Sequence, residues 1–323
     1  MQSGREVPVE ASTTEVVSVA VPGGALAVEY VTAGTGSAGP VLAIHGISSQ
    51  RKLWNWLRAA RPGLSLIAPD LRGRGDSASV TGTSSVARHA ADMIAVLDHL
   101  GLDAVPVCGM SMGGFIAVEL ATSYPDRVTS LILVDGGFPM ATPPGLTPEA
   151  VPAMFHDRLA RLDRDWPSVG DYARFFVEQT APLLDPADPL LLDYLAHDLA
   201  GPGGGEQIPP GGGEQTRPGE GEQTPQRVRL SADALGQDAV DIFFGPSKWE
   251  QIPVPTRLLT AQWSTGRDSA PAYPPAAIER FRGVLGPPGP LVTVQTVAGA
   301  DHAAAIMSPA GARATAGLIS EVL

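Results

Sequence analysis

Apolar and polar residues alternate from Val16 to Val21 and again from Leu26 to Thr32, on either side of Pro22-Gly23-Gly24. Period-two alternation sends successive side chains to opposite faces of an extended chain, so this pair predicts an antiparallel hairpin. The runs Pro40 to Ile44, Leu64 to Ala68, Val105 to Cys108 and Ser130 to Val134 are instead short and mostly apolar throughout. That is the pattern of a strand covered on both faces. Between them, Ser84 to Leu100 puts Val86, Ala90, Met93, Ile94 and Leu97 on one face of a helix, with Gly101 as a stop. Phe115 to Ser123 is also helical in pattern. The rhythm resumes with a strand at Thr256 to Thr260, a helix at Pro275 to Leu285, a strand at Leu291 to Val297 and a helix from Pro309 to Leu323. The last strand alternates and is expected near an edge. Eight strands interleaved with helices predict an α/β fold, a mostly parallel sheet with right-handed crossovers and helices on both faces.

The rhythm breaks between about Phe138 and Pro253, where helical patterns occur without a strong strand. Val151 to Leu162 and Pro189 to Leu199 are amphipathic, and Val228 to Phe244 is helical in pattern. This reads as a helical cap, residues 138–253, inserted into a core made of residues 1–137 and 254–323. Its aromatics, among them Phe155, Trp166, Tyr172, Phe175, Phe176 and Tyr194, are expected to form the cap's own core. Within it, residues 203–210, 211–218 and 219–226 are near-copies of one eight-residue unit rich in Gly, Glu, Gln and Pro. The unit has no apolar pattern and is too short and polar for a solenoid, so 203–226 is predicted to be a disordered loop.

Composition narrows the classes. The 323 residues are 44% hydrophobic and 17% charged, enough apolar material for a substantial core. The net charge of -12 argues against nucleic acid or an anionic membrane as partner, since both call for a basic face. The single cysteine, Cys108, excludes an internal disulfide and lies in a predicted buried strand. Residues 1–14 show no signal-peptide core and no apolar run is long enough to span a bilayer, so a cytoplasmic location is expected.

The candidate chemistry centres on Gly109-Met110-Ser111-Met112-Gly113, between the strand ending at Cys108 and the helix from Phe115. A turn this tight between strand and helix leaves no room for side chains two residues either side of the serine, which explains both glycines. The turn lifts the hydroxyl clear of the sheet, and the helix start behind it offers N–H groups to an anion. A serine hydroxyl is a weak nucleophile and needs a base, itself oriented by a third group. Of the six histidines, His302 follows the last strand, where its loop can reach back over the serine. His45 suits a structural role in the first buried loop. His89 and His99 lie on a helix away from the serine. His156 and His197 are expected at the cap surface or lining a pocket.

Three motifs occur together: His-Gly-x-x-Ser at 45–49, Asp-x-Arg-Gly-x-Gly-x-Ser at 70–77, and Gly-x-Ser-x-Gly-Gly at 109–114. In these the chain resembles the α/β-hydrolase-fold serine hydrolases, in the capped esterase, lipase and epoxide-hydrolase-like group. The resemblance covers residues 15–137 and 256–323. It implies a Ser, acid, His order, with Ser111 as nucleophile and His302 as base, and an oxyanion hole from the backbone N–H groups of Ile47 and Met112. Asp70 and Arg72 are expected to hold loop structure. The acid stands after the sixth or the seventh strand in such relatives, here Asp135 or Asp268, and Asp135 is preferred because the apolar run 131–134 stops directly at it. Serine rather than aspartate as nucleophile argues for acyl chemistry. The leading expectation is hydrolysis of a small-molecule carboxylic ester or lactone through an acyl-enzyme, without metal or cofactor. A cofactor-free perhydrolase or haloperoxidase-like activity and a non-catalytic small-ligand receptor are the alternatives.

Overall fold

In the computed structural model, the described residues are 13–34, 39–140, 145–200 and 226–323. Eight strands form one sheet: β1 (Thr13–Val21), β2 (Gly24–Thr32), β3 (Val41–Ile44), β4 (Leu66–Pro69), β5 (Val105–Met110), β6 (Val128–Val134), β9 (Thr256–Ala261) and β10 (Leu291–Val297). Their order is β1-β2-β4-β3-β5-β6-β9-β10. β2 pairs antiparallel with both β1 and β4, and every other pairing is parallel. The hairpin, the parallel centre and the edge position of β10 follow the hydrophobic pattern. The central strands are mostly apolar because both faces are covered, and all four residues of β3 and of β4 are buried.

Alternation sorts the strand residues between two cores. Leu42, Ile44, Val107, Leu131 and Leu133 face helices Val86–His99, Met112–Ser123 and Pro275–Leu285. Val41, Ala43, Cys108, Ile132 and Val134 face helices Asn55–Ala60 and Pro309–Ser320. Each buried branched side chain contributes roughly 1.5–3 kcal/mol. Because the strands are pinned on both faces, their C-terminal ends are rigid platforms for loops.

The insert lies between β6 and β9. It opens with a 3₁₀ stretch, Pro148–Phe155, continuing into His156–Leu159 as α-helix. The pattern at 151–162 predicts a uniform helix; Pro152 lies inside the 3₁₀ stretch and lacks an N–H to donate. Helices Val169–Gln179, Pro189–Asp198 and Ala232–Phe244 follow. The insert also contains strands, contrary to the sequence reading. β7 (Leu199–Ala200) pairs antiparallel with β8 (Arg227–Val228). Two residues are too few to show a period. Beside them Trp166 and Gln226 form a backbone bridge. The repeat tract 203–226 lies outside the described residues except for Gln226. The insert's aromatics interlock: ring centroids are 4.9 Å apart for Trp166–Tyr172, 6.2 Å for Tyr172–Phe176 and 6.1 Å for Phe176–Tyr194. No helix among the described residues is long and apolar enough to cross a membrane.

Candidate active site

β5 runs into Ser111, whose backbone has φ 56° and ψ -121°, a region non-glycine residues rarely enter. Such strain persists only where the surroundings over-determine it. Here Ser111 N donates to Val134 O (2.9 Å) and Gly114 N donates to Ser111 O (2.9 Å). A methyl group at Gly113 would lie 2.6 Å from the Ile44 carbonyl carbon, and one at Gly109 would lie 2.7 Å from Gly114 N. Only glycine at both positions allows strand and helix to approach this closely. Met112 is the first residue of helix Met112–Ser123 and is buried.

Asp135 follows β6 directly and also has a positive φ, 46°. Its N–H donates to Leu259 O (2.7 Å), which fixes it against β9. Its side chain, in a residue only 1% exposed, accepts from Ala261 N at Oδ1 (3.0 Å) and from His302 Nδ1 at Oδ2 (2.6 Å). A carboxylate only accepts, so this contact puts the proton on Nδ1 and leaves the Nε2 lone pair free to act as a base. The His302 side chain is a quarter exposed. The next residue, Gly136, packs on Ser111: a methyl there would come within 2.6 Å of Ser111 Cα. β5 and β6 therefore deliver Ser111 and Asp135 side by side, and the loop after β10 brings His302 to Asp135.

Asp268 lies elsewhere. It is exposed, in a turn where it has φ 66°, while the His302 ring nitrogen is engaged by Asp135. The residue that ties this turn to the His302 loop is Asp301, which the sequence reading missed. It is buried and accepts from Gly266 N (3.0 Å) and Ala304 N (2.9 Å). Its place beside His302 was the available signal.

Ile47 stands in the loop after β3, buried, with Gly46 so close that a methyl would lie 3.2 Å from Ser111 Cβ. His45 holds this loop: Nδ1 donates to Gly46 O (2.8 Å) and Nε2 accepts from Leu71 N (3.0 Å). Burial, opposed only in part by the Asp70 charge, lowers its pKa from 6.5 to about 3 and keeps the ring neutral. Asp70 accepts backbone N–H groups from Arg51 (2.7 Å) and Asp76 (2.9 Å), and Arg72 pairs with buried Asp92 (2.7 Å). Burial would raise Asp70, but the His197 hydrogen bond and the Arg51 charge outweigh it and hold its carboxyl well below the usual range.

Of the remaining histidines, His89 is buried against Asp238 (3.1 Å), His99 ends helix Val86–His99 and His156 is exposed. His197 is not an exposed surface residue, the first of its two expected positions. It is half-buried, 3.1 Å from Asp70 Oδ2, with Arg229 bonded to its carbonyl. Asp70, Asp76 and His197 bring metal-ligand atoms within 4.8 Å of one another. Arg51 bonds both carboxylates and Arg229 bonds Asp76, so guanidinium charge already balances this cluster.

The sheet order and the strand–turn–helix at Ser111 are those of the α/β-hydrolase fold, and this chain has that fold. Residues 39–169 match the family model for the alpha/beta hydrolase fold. Over 102 residues the chain is 38% identical to the lipase LipV of Mycobacterium tuberculosis, covering 31% of this chain and 39% of that one. Over 134 residues it is 39% identical to a 2-hydroxy-6-oxononadienedioate/2-hydroxy-6-oxononatrienedioate hydrolase of Burkholderia vietnamiensis, covering 40% and 46%. The chain thus spans less than half the length of these curated relatives. Among solved structures, an esterase from Thermogutta terrifontis superposes with a TM-score of 0.60 at 20% identity over 96% of this chain and 99% of that one. E-2-(acetamidomethylene)succinate hydrolase superposes with a TM-score of 0.66 at 19% identity, over 95% and 99%.

Proposed function

We propose that this protein hydrolyses a carboxylic ester or lactone of a small molecule through an acyl-enzyme on Ser111. The observation that carries the reading is the 2.6 Å hydrogen bond from His302 Nδ1 to buried Asp135, on the strand beside the Ser111 elbow. Ser111 Oγ attacks the carbonyl carbon while its proton passes to His302 Nε2. The carbonyl oxygen becomes an oxyanion, held by the N–H groups of Ile47 and Met112, each typically worth roughly 3 kcal/mol in such sites. Collapse of the tetrahedral adduct breaks the bond to the alcohol, which takes the proton from His302. Water, deprotonated in turn by His302, then releases the acid and restores Ser111. Asp135 keeps the histidine tautomer and stabilises the imidazolium. No step calls for a metal or cofactor.

The names of the lipase and esterase relatives support acyl chemistry. The contacts of residues 161 and 194 with the loop after β3 support the insert as a cap over this site. The test is Ser111→Ala. It should lower turnover of an ester and lactone panel on the order of 10⁶-fold, as loss of such nucleophiles does elsewhere, and abolish fluorophosphonate labelling while thermal unfolding is retained. A variant that turns over near the wild-type rate ends this reading.

A further inference from the structure

Three successive carbonyls in the loop after β3 are each held by a different buried side chain. Gly46 O accepts from His45 Nδ1 (2.8 Å), Ile47 O from Arg74 Nε (3.0 Å) and Ser48 O from Arg161 Nη2 (2.6 Å). His45 and Arg74 belong to the core. Arg161 belongs to the insert, 113 residues further along the chain than Ser48. It is 2% exposed, an unusual place for a guanidinium unless its donors are used. Nη1 donates to Tyr172 Oη (2.8 Å) and lies 3.4 Å from Asp198 Oδ2, while Tyr172 Oη donates to the same carboxylate (2.8 Å). Trp166 Nε1 donates to the Arg161 carbonyl (3.1 Å). One end of the guanidinium is thus built into the insert, and the other reaches the backbone beside Ile47.

We propose that Arg161 is a positioning residue through which the cap sets the oxyanion loop. Peptide units are rigid planes, so fixing a carbonyl fixes the N–H across the same bond. The Ile47 N–H shares its peptide with Gly46 O, and clamping the next two carbonyls removes the remaining freedom of the turn. Oxyanion donors work only when aimed in advance at the place where charge develops, and small misplacements cost rate steeply. Two further contacts join the same surfaces: Tyr194 Oη donates to Ser49 Oγ (3.1 Å) and Gln50 Nε2 donates to Tyr194 O (2.7 Å). Displacement of the cap would release the Ser48 carbonyl and loosen the turn that follows Ile47, while His45 and Arg74 keep their hold on Gly46 O and Ile47 O. Closure of the cap then supplies the last of the three clamps on the oxyanion loop.

The inference rests on the proposed acyl chemistry, so Ser111→Ala is measured beside it. The informative pair is Arg161→Lys and Tyr172→Phe. One ammonium cannot serve both Asp198 and Ser48, and the buried carboxylate will hold it, so Arg161→Lys keeps the ion pair and loses the backbone clamp. Tyr172→Phe weakens the insert network and leaves the clamp. With rates normalised by active-site titration, Arg161→Lys should lower kcat about ten-fold with KM within two-fold, a modest part of a full oxyanion-donor loss. Tyr172→Phe should lower the melting temperature and leave kcat within two-fold. If the lysine variant is unstable, Arg161→Gln with Asp198→Asn, which leaves no unpaired charge, carries the same expectation. Unchanged kcat per titrated site in the Arg161 variants, or equal losses in Arg161→Lys and Tyr172→Phe, overturns the positioning role. Wild-type turnover in Ser111→Ala would instead overturn the acyl chemistry.

Discussion

The ends of β5 and β6 and the body of the insert are held by different forces. At the strand ends, backbone lies on backbone. Ser111 and Asp135 sit at positive φ, Gly113 presses on Ile44, Gly136 presses on Ser111, and each contact leaves no room for another carbon. In the insert, geometry is set by long polar side chains that meet far from their own place in sequence. Arg161 joins Tyr172 and Asp198, and Arg229 joins Asp76 and His197. The first arrangement leaves no room for an added carbon at its glycines. The second rests on side chains with several rotatable bonds each. The proposed nucleophile and acid stand on the first, and the proposed cap is built by the second.

The comparison breaks most sharply at Asp135, the proposed triad acid. Asp135→Asn should lower kcat by about 10⁴, because the amide no longer holds the histidine in its working tautomer, with KM little changed. Asp268→Asn, exposed on its turn, should stay within two-fold. Steady-state kinetics on the two variants decides it. The reverse pattern would move the acid to the loop after β9, although the geometry of His302 would then have to change.

Glycine substitutions carry the same contrast into stability. Gly113→Ala puts a methyl 2.6 Å from the Ile44 carbonyl carbon, a backbone atom that cannot step aside, and should cost about 3 kcal/mol or more. Gly236→Ala, in the insert helix Ala232–Phe244 with nothing within 4 Å of the new carbon, should stabilise by about 0.5–1 kcal/mol. Urea unfolding of the two variants should shift in opposite directions. A neutral Gly113→Ala would show that the elbow is looser than its contacts imply.

A weaker lever is pH. The folded-state pKa of His45, about 3, lies below its unfolded value of 6.5, so the unfolded chain binds the proton first as pH falls. The stability contribution is complete above pH 6.5 and is lost progressively toward about pH 3. Between pH 7 and pH 5 the loss is about 2 kcal/mol. Unfolding free energies from urea titrations at the two pH values should differ by that amount in the wild type, and by less in His45→Gln, whose amide can still donate to Gly46 O. An equal separation in both proteins would assign the pH dependence to other groups.

How much of this was readable from sequence follows the same division. The eight sheet strands, the elbow and the candidates Ser111, His302 and Asp135 all leave local marks: an apolar run, a glycine pair, a residue at a strand end. The preference for Asp135 over Asp268 rested on such a mark, the apolar run that stops at 135. Arg161, Arg74 and Asp238 left none, because an arginine looks the same whether it is solvated or buried on a partner 113 or 164 residues away. For the same reason the expectation for His197, cap surface or pocket lining, did not foresee its contact with Asp70. Helix Val169–Gln179 was marked only by its aromatics, and β7 and β8 are too short to mark anything.

The smallest expected effect concerns the repeat tract, and it tests whether the insert depends on what the tract contains. The two ends are joined without it: Leu199 and Ala200 pair with Val228 and Arg227, Gln226 bridges Trp166, and Arg229 N donates to Asp198 O (2.7 Å). The cost of closing a loop grows only with the logarithm of its length, so replacing residues 203–225 by a short Gly/Ser linker should change stability by no more than roughly 1 kcal/mol, in the stabilising direction. Gln226 is retained because its backbone belongs to the bridge. The measurement is the urea midpoint, with kcat and KM on the same preparations. A large loss of stability would mean that the repeat units pack against the protein despite lacking any apolar pattern. Unchanged stability with altered KM would mean that the tract acts on substrate entry, through a cap whose own fold does not require it.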